Sequence, residues 1–223
     1  MKDAVHGTQK DPLSKLTTSW STLYKTRREI QRKFPDFWDL KVRKKHLEIV
    51  MEEVRDGDSI LDIGSSTREL CHRLIDVSGR RVTYKSMDID RETKQDYYSI
   101  EEIEEKFNVI FLFEVIEHLS FEDGVQLLDT IYDLLLPGGK LIITTPNSFH
   151  PNRYWEYSHK VSYRYDEIGG ILISLGFKVK DIFRIYNDAF FRRLVRIWLA
   201  APLHKYLCVD FAKSILVVAV REK

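Results

Sequence analysis

The chain has 223 residues, 43% of them hydrophobic and 31% charged. That suits one medium domain with a buried core and excludes wholesale disorder. Lys+Arg is 35 against 34 Asp+Glu, a formal net charge of +1, so a general nucleic-acid binder is not expected. Cys71 and Cys208 lie far apart, which argues against a disulfide framework or zinc ribbon and for a reducing, cytoplasmic setting.

The first dozen residues read as a polar tail without the apolar stretch of a signal peptide. No run reaches the roughly 18 unbroken apolar residues of a membrane span. Trp20, Leu23, Tyr24 and Ile30 predict a basic, weakly amphipathic helix from about Thr17 to Lys33, broken by Phe34-Pro35. A second helix is predicted from Leu40 to Val54, and Gly57-Asp58 is a turn. Residues 1–56 thus read as an N-terminal helical extension and 57–223 as the main domain.

From Ser59 the rhythm alternates between strand and helix. Strands are predicted at Ser59–Ile63, Val82–Met87, Val109–Phe113, Lys140–Thr145, Phe177–Ile185 and Ser214–Arg221. Helices are predicted at Arg68–Val77, capped near Gly79, at Phe121–Leu136 and at Asp166–Leu175. Ser99 opens a short acidic helix through a capping box. A helical insertion spans about 187–211. This alternation predicts an α/β fold with a mostly parallel sheet. Such sheets bind ligands beyond the carboxyl ends of their strands.

Asp62-Ile63-Gly64-Ser65-Ser66-Thr67 follows the first strand and opens the first helix. Gly64 permits a tight turn against a ligand, free N–H groups favour an anion, and Asp62 can accept from an ammonium group. An ordinary βα turn with a Ser/Thr cap reads equally well. Met87-Asp88-Ile89-Asp90 ends the second strand, where an acid can hold both hydroxyls of a ribose. No HExxH, paired cysteines or tight His/Asp cluster is present, so no metal site is expected, and there is no Walker loop or nucleophile elbow.

In order, ILDIGSS, MDID, FNVIFLFEVIEHL and LLLPGGKLIITTPN resemble a Rossmann-like class I S-adenosylmethionine-dependent methyltransferase. The resemblance spans roughly Ser59 to Val179. It is closest to the small-molecule enzymes with an E-V-x-E-H run, which include the ubiquinone-type O-methyltransferases. It implies a seven-stranded sheet with an antiparallel last strand and S-adenosylmethionine as cofactor. Asp62, Gly64 and Ser65 would wrap the methionine moiety, with Ser66 beside them. Asp88 would take the ribose, Ile89 the adenine face, and Asp96 the adenine amino group. Phe113 or Glu114 would line the sulfonium. One departure stands out: the family's G-x-G-x-G is here Gly64-Ser65-Ser66-Thr67-Arg68. It keeps open a non-catalytic S-adenosylmethionine-binding scaffold, and a nicotinamide-dependent oxidoreductase is a further alternative.

On the acceptor side, His118 follows the apolar strand and is a candidate base or positioning group; a capping or core histidine is the alternative. His159, a dozen residues after T-P-N, resembles the family's acceptor-side histidine, while Tyr154 and Trp155 read as cover for the sheet edge. The expected reaction is methyl transfer to a small-molecule acceptor, oxygen before nitrogen. Between Lys178 and Lys205, seven basic residues face two acids. Asp188 is placed to cap a helix with Phe190, Phe191, Leu194, Val195 and Trp198 on its apolar side and Arg192, Arg193 and Arg196 flanking it. Residues 187–205 therefore read either as a peripheral membrane contact or as a lid packed on the domain. The oligomeric state is not legible in the sequence.

Overall fold

The computed structural model describes residues 20–73, 79–152, 156–199 and 201–222. The N-terminal tail, the end of the helix expected to reach Val77, and the loop aromatics Tyr154 and Trp155 lie outside these residues.

In chain order the elements are α1 (Trp20–Lys33), β1 (Lys41–Arg43), α2 (His46–Glu53), β2 (Ser59–Ile63), α3 (Glu69–His72), β3 (Thr83–Met87), β4 (Phe107–Phe113) and α4 (Phe121–Leu134). There follow β5 (Leu135–Pro146), α5 (Tyr165–Ser174), β6 (Phe177–Ile185), α6 (Phe190–Leu194), α7 (Ala201–Leu207) and β7 (Ser214–Arg221). The strands form one seven-stranded sheet in the order β1-β6-β7-β5-β4-β2-β3. Only β7 runs antiparallel, to both β5 and β6.

Alternation along each strand sends side chains to two helical layers. Leu61, Ile63, Ile110, Leu112, Leu141 and Ile143 pack toward α1, α4 and α5. Ile60, Val109, Phe111 and Ile142 pack with Ile49 and Val50 of α2 and with Val54 just after it on the other face. Helix α1 approaches α5 closely because Gly169 has no Cβ: one there would lie 2.9 Å from Ile30.

Several boundaries differ from the sequence reading. The helix expected over Leu40–Val54 is instead the short strand β1 followed by α2. Lys41, Val42 and Arg43 pair in parallel with Phe183, Arg184 and Ile185, so a free sheet edge overrides local propensity. Helix α4 ends at Leu134 because Leu135 already pairs with Phe107 of β4. Ser99 makes no capping bond to the backbone, and only one 3-10 turn, Ile100–Glu102, forms there. Asp188 caps no helix; its carboxylate is 2.7 Å from Arg196 Nη1.

Candidate active site

The sheet gathers the expected site residues beyond the carboxyl ends of β2, β3 and β4. After β2 the chain turns at Gly64, with φ 77. A Cβ on Gly64 would overlap Val115 Cγ2 in the turn after β4, so glycine is needed here for the protein's own packing. The amides of Gly64 and Ser65 donate to Met87 O at 2.8 and 3.3 Å, tying this turn to the end of β3. Ser66 and Arg68, standing where the resembled family has glycines, both take positive φ, 44 and 58. The left-handed backbone of a glycine loop is therefore kept with side chains attached, at a cost of about 1–2 kcal/mol each.

Other groups hold that conformation. Asp88 Oδ2 accepts from the Ser66 amide at 2.8 Å, and Oδ1 from the Asp90 amide at 3.0 Å. Gln95, nearly buried, joins the Ser65 hydroxyl at 2.7 Å and donates to Ser66 O at 2.7 Å. Nothing in the run Thr93-Lys94-Gln95-Asp96 signals this role in sequence. Asp96 accepts from the amide and hydroxyl of Ser86 at 3.0 and 3.1 Å and pairs with Arg68 at 3.1 Å. Burial works against its charge, but the Ser86 bonds and the Arg68 and Lys85 cations hold its carboxyl below the usual range. Asp62 is buried beneath the turn and bonded by the Tyr84 hydroxyl, and desolvation pushes it up to about 7.

The nucleoside half of S-adenosylmethionine fits this arrangement. Asp88 is half-exposed at the strand end, with acceptor oxygens for ribose hydroxyls. Ile89 beside it is 81% exposed, a bare aliphatic surface for a planar base. The methionine half would meet a turn whose Gly64, Ser65 and Ser66 amides are already bonded within the protein.

The turn after β4 carries Glu114 and His118. Phe113 stacks on Phe111 at 5.2 Å between ring centroids. Phe113 and Glu114 line a cleft of about 440 Å³ together with His46, Thr144, Asn187 and Lys213. Glu114 sits at φ 53, its amide held by Thr144 O at 3.2 Å and Thr144 Oγ1 at 3.1 Å. A left-handed non-glycine residue so fixed is the kind of strain that concentrates at functional sites. Although Glu114 reaches the rim, protein atoms crowd its carboxyl and raise it.

A 3-10 turn, Ile116–His118, then presents Glu117 and His118. The loop carrying His159 returns to it: the amides of Lys160 and Val161 donate to Glu117 O at 2.7 and 3.2 Å. The rings of His118 and His159 meet edge-on, 4.8 Å between centroids. Glu117 is 1% exposed, and neither carboxyl oxygen makes a hydrogen bond of ordinary geometry, though the Thr145 hydroxyl lies near enough to favour its charged form. Desolvation, then the neighbouring Glu114, push Glu117 up to about 8. Ligand atoms of Glu117, His118 and His159 lie within 4.8 Å of one another, a group that could hold a metal ion. Sequence reasoning named both histidines and missed Glu117, whose only signal was its place inside E-V-I-E-H. It also saw no metal motif, because the ligand-bearing elements are some forty residues apart.

A methyltransferase-domain family model matches residues 23–181. No curated protein is detectably similar in sequence. Among solved structures, a chain from the complex of a Haloferax volcanii methyltransferase activator with a methyltransferase is 14% identical, with a TM-score of 0.60, over 91% of this chain and 98% of that one. An S-adenosylmethionine-dependent methyltransferase from Archaeoglobus fulgidus is 18% identical at a TM-score of 0.56, over 93% and 97%. Phosphoethanolamine N-methyltransferase 2 of Haemonchus contortus, in complex with S-adenosyl-L-methionine, is 17% identical at 0.53, over 79% and 52%. With the family model covering more than half of the chain, and the sheet order in agreement, this protein belongs to the methyltransferase-domain family and is an S-adenosylmethionine-dependent class I methyltransferase.

Proposed function

We propose that the enzyme methylates a hydroxyl oxygen of a small-molecule acceptor. The observation that carries this reading is the cluster of Glu117, His118 and His159 at the end of β4, beside the Glu114 cleft. The cofactor supplies an electrophilic sulfonium methyl, and its transfer is an in-line displacement. A neutral hydroxyl is a poor nucleophile until its proton is taken, whereas a free amine needs no such help. Either imidazole supplies the base that proton removal from a hydroxyl requires.

Each residue then has a stated task. Asp88 and Ile89 seat the nucleoside. Phe113 and Glu114 wall the sulfonium side and, with Thr144, limit water in the cleft. His118 or His159 takes the acceptor proton at a ring nitrogen. The same trio suits a divalent cation, held by Glu117, His118 and His159, which would polarise the acceptor oxygen.

The test is a panel of phenols, alcohols and amines incubated with the protein and S-adenosylmethionine, with products resolved by mass spectrometry. O-methyl products support the reading. N-methyl products alone would overturn it, and no product from any acceptor, with cofactor bound, would favour a scaffold.

A further inference from the structure

The segment between β6 and β7 leaves the body as an arm: α6, a π-helical turn at Val195–Leu199, then α7. Its large apolar residues do not fold back onto the domain. Phe191 is 80% exposed, Trp198 71%, Leu199 74% and Tyr206 77%. Exposure this concentrated is not the random scatter of surface apolar residues, and it marks an interaction surface. It also removes the lid reading, which needs those side chains buried.

The arm is nevertheless firmly rooted. His204 is nearly buried, its Nε2 3.2 Å from Asp36 Oδ1, and its ring meets Trp38 and Phe37 at 4.9 and 5.8 Å. At the return, Asp210 is buried and accepts from Arg184 at 3.1 Å, Tyr186 at 2.7 Å and Asn147 at 3.0 Å. His204 and the return at Asp210 thus anchor the arm to the body, and its exposed apolar side chains are presented outward.

Charge selects the occupant. From Phe190 to Leu207 the sequence holds Arg192, Arg193, Arg196 and Lys205 and no acidic residue. Arg192 and Lys205 are exposed beside the apolar side chains. Exposed Phe, Trp and Tyr with interleaved cations are the composition of a segment lying in a headgroup region. Among the described residues no helix is long and apolar enough to cross a membrane. Asn187 and Lys213, on the chain before and after the arm, both line the Glu114 cleft, so the arm is rooted in the cleft's wall.

We infer that the arm formed by residues 190–207 docks the enzyme on an anionic lipid bilayer, with the acceptor cleft opening toward it. The docking does not depend on the acceptor being a hydroxyl.

Vesicle co-sedimentation of the full chain tests it, comparing phosphatidylcholine vesicles with vesicles containing phosphatidylglycerol. Pelleting is expected with the anionic vesicles and is expected to fall with added salt. Arg192→Gln and Lys205→Gln should each weaken it about fivefold. Trp198→Asp, at an exposed position and checked for unchanged melting, should abolish it while leaving S-adenosylhomocysteine affinity intact. Equal or absent pelleting with both vesicles overturns the inference. So does a concentration-dependent dimer that Trp198→Asp dissolves without any vesicle binding, since the arm would then pair with a second copy. Methyl transfer to a soluble acceptor can persist in either case, so this result is separate from the chemistry.

Discussion

Gly64→Ala is the sharpest perturbation of the site's scaffold. Two costs add. The backbone there sits at φ 77, and an L-residue in that region costs about 1–2 kcal/mol. The new Cβ would overlap Val115 Cγ2, and overpacking of this kind costs about 1–3 kcal/mol. The expected loss is therefore about 2–5 kcal/mol, read as a lower urea midpoint at unchanged slope. Val115→Ala separates the two terms. Alone it should cost about 1–2 kcal/mol for lost methyl contacts, since Val115 is half-buried. Combined with Gly64→Ala it should remove the overlap and leave the backbone cost plus its own lost contacts, a coupling of about 1–3 kcal/mol. Additive losses would mean that the turns after β2 and β4 do not touch as described. So would a Gly64→Ala protein within about 0.5 kcal/mol of wild type. Because one turn carries Ser65 and Ser66 and the other Glu114 and Glu117, that contact sets the spacing of the whole site.

Asp88→Ala should weaken S-adenosylhomocysteine binding by about 1.5–3 kcal/mol in calorimetry, through lost charge-assisted bonds to the ribose; unchanged affinity with an intact fold would remove Asp88 from the site. Glu117 predicts a pH dependence: its pKa is about 8 folded against 4.5 unfolded, so between those values the folded state holds the extra proton and stability falls as pH rises. Glu117→Gln should flatten that decline across pH 5 to 8 in urea titrations, and parallel curves for the two proteins would refute the buried, raised carboxyl. Manganese should raise the melting temperature of wild type but not of His118→Ala, and a flat titration for both would exclude a cation at the cluster.

The sheet was largely legible because buried parallel strands read as apolar runs. Val109–Phe113 and Leu141–Ile143 carry that signal plainly. Lys41–Arg43 did not, because three residues have no period and their partner on β6 is some 140 residues away. In the site, Gly64 and Asp88 stand directly after strands and His118 in the first turn after one, where local order predicts ligand contacts. The meeting of His118 with His159 is a tertiary fact. So is the burial of Glu117, an acid that looks like surface when read between Ile116 and His118. The positive φ of Ser66 and Arg68 was hidden because neither residue type announces it. Amphipathic spacing in the arm marked an apolar side without saying whether it turns inward, and only its exposure decides that.

The central claim is that the end of β4 holds the proton-removing group for methyl transfer. Steady-state turnover and S-adenosylhomocysteine affinity, measured together for wild type, His118→Ala and His159→Ala, test it most directly. The histidine that takes the proton should cost about 10²–10⁴-fold in rate when lost, with cofactor affinity unchanged. Wild-type turnover in both variants, or a loss of rate matched by an equal loss of cofactor affinity, would contradict the claim.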